Sequence, residues 1–363
     1  MKWQAAVFLA LLGGSVTPAL AAPWKKLRPK MAIDAMLSFY NQTDGRWSTE
    51  APWWITGNAL QATLDYMAKT GSREYIPQAV NTFTKQSAPL PWWPSGGGDF
   101  RADSTDDTGW WSLASVRMFD LTGDQQYLTY AKEDEAYMYS FWSNDTCQGG
   151  IIWDIPSRSY KNAISNELYL KLAASLHNRI PGDTFYLSRA KQSWTWFKNS
   201  GMINGDNLIN DGLSEASNGI CSNNGGQTWT YNQGVILGGL AELYKATRDR
   251  SLLETARRIA DAVTTSAFLS PNGILTEPCE ADDSCGSDAP AFKGIFVRNL
   301  DELQDVLPGN PYRKYLDVQT TSAYNLDRNS STGNLYGLKW AGPFDEIEIA
   351  RQTSAVSLLV AAL

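Results

Sequence analysis

Asp106 and Asp107 stand side by side in the stretch Phe100-Arg-Ala-Asp-Ser-Thr-Asp-Asp-Thr-Gly-Trp-Trp111. Adjacent carboxylates repel each other, and cleavage of a glycosidic bond is a chemistry that uses such a pair. One carboxyl stays protonated to assist the leaving oxygen, and the other stays ionised to meet the positive charge developing at the sugar carbon. Consecutive residues inside a helix point about 100° apart. The pair is therefore expected in a loop or at a helix start, where both can address one sugar. Ser104 or Thr105 is the expected cap of a helix running from about Thr108. The positive end of that helix would keep one carboxylate ionised, while its charge would raise the pKa of the other.

Flat aromatic faces suit sugar rings, and the chain has 15 tryptophans, 16 tyrosines and 12 phenylalanines. Some belong in the core; Trp53, Trp54, Trp92, Trp93, Trp110 and Trp153 are candidates for stacking on sugar. Asn162, Asn166, Tyr231 and Asn232 are candidates for binding hydroxyl groups, with helix capping as the competing role. Lys293 could reach a hydroxyl, pair with an acid or sit on the surface. Asp211 and Glu277 add further acids, although Asp211-Gly212 is also a turn sequence. The formal charge of −7 argues against a nucleic-acid partner. Gly96-Gly-Gly98 lacks the Lys-Ser/Thr of a phosphate loop. The single histidine, His177, ends a helix-like run, and no Cys-x-x-Cys is present, so no metal or other cofactor is expected.

The N-terminus has the pattern of a secretory leader over residues 1–21. Lys2 precedes the apolar run Ala5–Leu12, and small residues follow at Ala19, Ala21 and Ala22. Sequons at Asn41, Asn144 and Asn329 agree with export. The four cysteines allow three pairings. The most economical joins Cys279 to Cys285 across a short loop and leaves Cys147 with Cys221.

These residues are positioned by a weak internal repeat. Helix-like runs meet at turns near 70, 122, 181 and 247, so a helical hairpin and a long loop recur every 50 to 65 residues or so. The unusual residues fall before the first helix of each pair, on one side. No polar end caps are evident, so an all-α ring of about six hairpins, an (α/α)6 barrel, is expected over a single domain, 22–363, with the working loops at one mouth. Short strands are expected at Gly150–Ile155 and Gly273–Thr276, and a closing helix from near Asp345.

The ordered set Trp53-Trp54, Asp106-Asp107-Thr-Gly-Trp-Trp111, Tyr160-Lys-Asn-Ala-Ile-Ser-Asn166, Trp229-Thr-Tyr-Asn-Gln-Gly234, Glu277-Pro-Cys279 and Phe292-Lys-Gly294 resembles glycoside hydrolase family 76 over nearly the whole mature chain. That family contains α-1,6-mannanases and yeast wall proteins implicated in crosslinking mannoproteins. The resemblance implies an (α/α)6 barrel and retaining hydrolysis of α-1,6-mannosidic bonds, with Asp106 as nucleophile and Asp107 as acid/base. The expected partner is α-1,6-mannan or a mannoprotein glycan, met by a secreted monomer without a membrane anchor. Two rivals remain: a wall transglycosidase, in which a sugar intercepts the Asp106 intermediate, and a non-catalytic mannan-binding wall protein.

Overall fold

The computed structural model describes residues 23–94 and 97–363, so the expected leader lies outside the described residues. Twelve α-helices form among them: α1 (Pro23–Met36), α2 (Trp53–Thr70), α3 (Ile76–Gln86), α4 (Thr105–Thr122), α5 (Gln125–Tyr139), α6 (Ala163–Arg179), α7 (Phe185–Asn199), α8 (Thr230–Thr247), α9 (Arg250–Thr264), α10 (Phe292–Gln304), α11 (Arg313–Ser322) and α12 (Ile349–Ala361). The even-numbered helices are buried nearly all round and therefore interior. In α2 every residue from Trp53 to Met67 is buried. The odd-numbered helices carry one apolar stripe. In α9 this is Leu252, Ala256, Ile259, Ala260 and Val263, at the spacing that gathers side chains on one face.

Each even-numbered helix packs against the next, and α12 returns to α2, closing an inner ring with the odd-numbered helices outside it. The expected barrel of hairpins is thus present. Close approach within the ring depends on glycine. A Cβ on Gly234 of α8 would lie 2.5 Å from the Phe296 Cα of α10, and one on Gly294 of α10 would lie 2.5 Å from the Ser354 Cα of α12. The turns follow simple chemistry as well. Gly71 and Gly123 end α2 and α4 in the left-handed conformation, which costs glycine little. Asp124 and Asp249 cap the helices that follow by accepting from Gln126 and Ser251 backbone N–H groups.

All inner helices run the same way, so their N-termini meet at one mouth and their C-terminal halves at the other end. The far end is closed by ion pairs: Arg117 with Asp65 at 2.7 Å, Lys171 with Glu302 at 2.5 Å, Lys69 with Asp301 at 2.5 Å and Arg179 with Asp120 at 2.6 Å. The partly buried charges in this lattice satisfy one another, where single ones would be costly.

Two local expectations need correction. The strands are elsewhere: Leu213–Glu215 pairs with Cys221–Asn223, and Arg328–Asn329 with Leu335–Tyr336. Residues 150–155 form only isolated bridges, Ile151 to Trp142 and Asp154 to Ser104 and Ser159. At 273–276 a turn through left-handed Asn272 and Gly273 breaks any strand, and the Leu275 N–H donates to the Gln319 side chain. The closing helix starts at Ile349. Cys147 is bonded to Cys221 and Cys279 to Cys285. Among the described residues no helix is long and apolar enough to cross a membrane.

Candidate active site

Helix α4 begins at Thr105, three residues earlier than expected, with Ser104 as the capping residue in extended conformation. Asp106 and Asp107 therefore lie in its first turn, where the helix dipole favours negative charge. The segment before it is pinned by the loop between α5 and α6. The Thr105 N–H donates to the Trp153 carbonyl at 3.1 Å, the Ile155 N–H to the Asp103 carbonyl at 3.0 Å, and the Thr105 hydroxyl to the Ile152 carbonyl at 2.9 Å. This pairing delivers Trp153, whose indole N–H donates to Asp106 Oδ1 at 2.9 Å. The Asp107 N–H donates to the same oxygen at 3.1 Å.

The two carboxyls differ in surroundings. Loss of water around Asp106 pushes its pKa up to about 6, against the restraining hydrogen bonds of Ser104, the Asp107 and Asp106 backbone and Trp153. Asp107 is pushed further, well above the ordinary range. Burial acts first, and the negative charges of Asp106, Asp103 and Asp288 add to it. Asp106 is thus the more easily ionised member and Asp107 the one that keeps its proton. Two carboxyls held in unlike environments can act as nucleophile and acid.

Below them lies a circuit of aromatic rings, one from each of four inner helices. Trp54 of α2 stacks on Trp110 of α4 with centroids 5.7 Å apart, Trp110 on Tyr231 of α8 at 6.4 Å, and Tyr231 on Phe292 of α10 at 3.8 Å. Phe292 returns to Trp54 at 6.1 Å. Trp110 is one helical turn beyond Asp106, so both project from the same face of α4. The Arg298 guanidinium lies 5.6 Å from the Trp110 ring centroid, within reach of a cation–π contact. The Trp54 indole N–H donates to Asp288 Oδ1 at 2.8 Å, which holds that acid near Asp107.

A second acidic group lies on the other side of Tyr231. Asp211 accepts from the Tyr160 hydroxyl at 2.5 Å, and that hydroxyl accepts from Asn224 Nδ2 at 2.9 Å. Burial raises the Asp211 pKa, while Tyr160 and the neighbouring Asn232 hold it down. Glu167, inside the first turns of α6, is fully buried with neither carboxylate oxygen hydrogen-bonded. Burial and the charge of Asp211 raise its pKa well above the usual range, so it is held neutral. Tyr231 lies within the electrostatic reach of Asp211, Asp106, Glu167 and Asp288, and burial above all raises its pKa. These groups therefore share one mouth.

Several expected sugar contacts are structural instead. Lys293 is 0% exposed, paired with Glu280 at 2.5 Å and donating to the Leu338 carbonyl at 2.6 Å, so it cannot reach a hydroxyl in the cleft. Asn166 is spent on the backbone: its Oδ1 accepts from Ile151 N–H at 2.7 Å, and its Nδ2 donates to the Ile151 and Asn162 carbonyls. Asn162 caps α6 by accepting from Ser165 N–H. Trp53 is buried, stacked on Trp111 at 4.9 Å and donating to Gln86 Oε1. Glu277 is buried and accepts from the Thr230 N–H and hydroxyl at the start of α8, with its pKa pushed by burial up to about 8. Trp153, 37% exposed, keeps an open face beside the carboxyl pair. Asn232 is buried beside Asp211, whose charge it favours. Asn41 and Asn144 are exposed and Asn329 half-buried. His177 pairs with Asp183 at 2.9 Å, at the far end of α6. No three His, Cys, Asp or Glu side chains among the described residues converge on a metal-sized site.

Sequence reading missed Asp288 and Glu167 as members of this site, and gave Ser104 only as a helix cap. Glu167 carried a signal, since an acid in the N-terminal turns of an otherwise apolar interior helix needs a reason to be there. Asp288, in Ser287-Asp-Ala-Pro290, carries none.

Comparison with known proteins agrees with this arrangement. The family model of glycosyl hydrolase family 76 matches residues 25–363. The mannan endo-1,6-alpha-mannosidase DCW1 of Saccharomyces cerevisiae is 27% identical over 88% of this chain and 74% of its own length. Its Candida albicans namesake is 27% identical over 84% and 71%. An alpha-1,6-mannanase from Salegentibacter sp., inactivated at two consecutive aspartates and in complex with alpha-1,6-mannotetrose, superposes with a TM-score of 0.83 at 24% identity, covering 94% of this chain and 99% of its own. Dfg5 from Chaetomium thermophilum, in complex with glucosamine, superposes with a TM-score of 0.78 at 20% identity, covering 93% and 90%. The closed ring of hairpins, the acid pair at its mouth and a family match across the described chain lead to one conclusion: this chain belongs to glycosyl hydrolase family 76.

Proposed function

We propose that this chain is an endo-acting α-1,6-mannanase that cleaves with retention of configuration, working outside the cell. The observation that carries the reading is the unequal acid pair, Asp106 restrained by the hydrogen bonds of Ser104 and Trp153 and Asp107 raised by burial and by three neighbouring acids. The names of the yeast relatives and the mannotetrose complex of the Salegentibacter enzyme support the substrate class.

In the first step Asp106 attacks the anomeric carbon while Asp107 gives its proton to the departing glycosidic oxygen. The bond to the leaving chain breaks as the bond to Asp106 forms. Asp107, now ionised, then takes a proton from water, whose oxygen attacks the same carbon and frees the sugar from Asp106. The open face of Trp153 and the aromatic circuit around Trp110 and Tyr231 support the ring. Half-buried Asp211 is the acid left to bind a hydroxyl.

The test is incubation of the mature chain with unbranched α-1,6-mannan, following chain length of the products. Short oligosaccharides should be released, and each of Asp106→Asn and Asp107→Asn should lose at least a hundredfold in rate. Longer chains formed only when an acceptor is added would move the assignment to transglycosylation. Binding without turnover in the unaltered chain would leave a mannan-binding protein.

A further inference from the structure

A second cavity, of about 600 Å³, lies on the flank of the barrel between α7 and the loop that leaves α5. That volume falls within the usual range of small-ligand sites, about 300–1,000 Å³. Trp142 and Trp196 line it together with the Cys147–Cys221 bridge, and Gln148, Gln192, Thr195 and Asn199 provide amide and hydroxyl groups. Lys191 is its single charged lining residue, and no carboxylate lines it.

The two indoles are fixed in place. Trp142 donates its N–H to Asn144 Oδ1 at 3.1 Å and Trp196 to the Cys147 carbonyl at 2.9 Å. The rings meet edge to face with centroids 6.0 Å apart. With both N–H groups occupied, what the indoles present to the cavity is carbon surface. Gly149 and Gly150, with φ of 138° and 93°, pack tightly on the indoles, and a Cβ on Gly150 would lie 2.3 Å from Trp196 Cζ2. The loop itself is held by buried Lys161, which donates to the Ser143, Thr146 and Gly149 carbonyls at 2.7, 2.5 and 2.6 Å. Such a rigid site loses little entropy when a ligand enters.

A clamped aromatic pair ringed by amides and hydroxyls, without carboxylates, matches a neutral polyol. A phosphorylated ligand would call for more cations, and a lipid for fewer amides. We infer that this cavity is a second, non-catalytic oligosaccharide-binding site that holds a segment of the mannan chain. The loop that forms it continues through Ile152 to Trp153 at the acid pair, so one excursion of backbone carries both sites. The occupant rests on the mannan reading above; the presence of a neutral-glycan site does not.

The test uses Thr195→Trp, a substitution on the exposed face of α7 that fills the cavity without touching the indole pair. Mobility in native gels containing α-1,6-mannan is measured alongside turnover of a short α-1,6-manno-oligosaccharide. The variant should lose retardation by roughly three- to tenfold, as expected for the loss of an aromatic stacking platform, while short-substrate turnover stays within about twofold. Equal retardation of variant and parent would overturn the inference. So would retardation gained only by Thr146→Ala, which removes the Asn144 sequon, since the cavity would then house the chain's own glycan. A parent chain that cleaves mannan while the cavity variant behaves like it refutes only this site. A parent that is retarded but never cleaves refutes only the proposed activity.

Discussion

Replacing Trp153 with phenylalanine keeps the aromatic face beside the acid pair and removes the indole N–H that donates to Asp106 at 2.9 Å. A hydrogen bond to a charged group contributes about 1.5–3 kcal/mol, equivalent to roughly one to two pKa units. Trp153 is 37% exposed, so water replaces part of the lost bond, and a rise of about half to one unit is expected. The sign follows from the role. Asp106 must be ionised to attack, so the rate climbs as pH rises through its pKa of about 6. Trp153→Phe should move that acid limb of kcat/KM to higher pH and leave the alkaline limb, set by Asp107, nearly where it was. The assay is initial release of reducing ends from α-1,6-mannan across pH 4 to 9. An acid limb that stays in place or moves to lower pH would refute the assignment of Asp106 as the restrained, ionised member.

The same raised pKa makes a stability statement. The folded-state pKa of Asp106 lies above its unfolded value of 3.8, so the folded state gains from the proton at low pH and loses that gain as pH rises through about 6. Asp106→Asn should therefore stabilise the fold by about 1–3 kcal/mol at pH 7 but hardly at pH 3.5, read by thermal melts at both; a gain at pH 3.5 alone would contradict this. Lys293→Met strands Glu280 in the core and should cost about 3–5 kcal/mol in urea unfolding while leaving the KM of folded protein unchanged; a raised KM at normal stability would return Lys293 to the sugar site. Opening the Cys147–Cys221 bridge, whose ends are 74 residues apart, with a double serine variant should cost up to about 4 kcal/mol by chain entropy, and an unchanged unfolding midpoint would show that the bridge constrains little. Glu167→Gln keeps a neutral side chain of the same shape. It should alter stability by less than about 1 kcal/mol, and a large loss of stability would mean that the acid is charged in the fold.

The architecture was legible because helical runs recur at a regular interval and end at turn residues such as Gly71 and Gly123. The repeat was read in four copies. The fifth was obscured because α11 has few apolar residues, and the sixth because α12 packs on α1 from the opposite end of the chain. At the site, the acid pair was legible from two adjacent letters. The assignments that shifted were those of residues at inner-helix N-termini. There a polar side chain can serve the substrate or the helix, and sequence does not separate the two. Asn162 and Asn166 went to backbone groups, and Lys293 went to Glu280. Trp54 and Trp110 were read as stacking faces and form part of the aromatic circuit beneath the cleft, while Trp153 alone combines an open face with a bond to Asp106. Partners such as Asp288 come from across the ring and leave no trace in local sequence.

The most direct test of the double displacement is the configuration of the first product. Proton NMR of α-1,6-mannan in the first minutes of digestion should show newly formed reducing ends in the α form, drifting later toward the equilibrium mixture by mutarotation. Initial β-anomer would mean that water attacks the anomeric carbon directly, and that Asp106 forms no bond to the sugar.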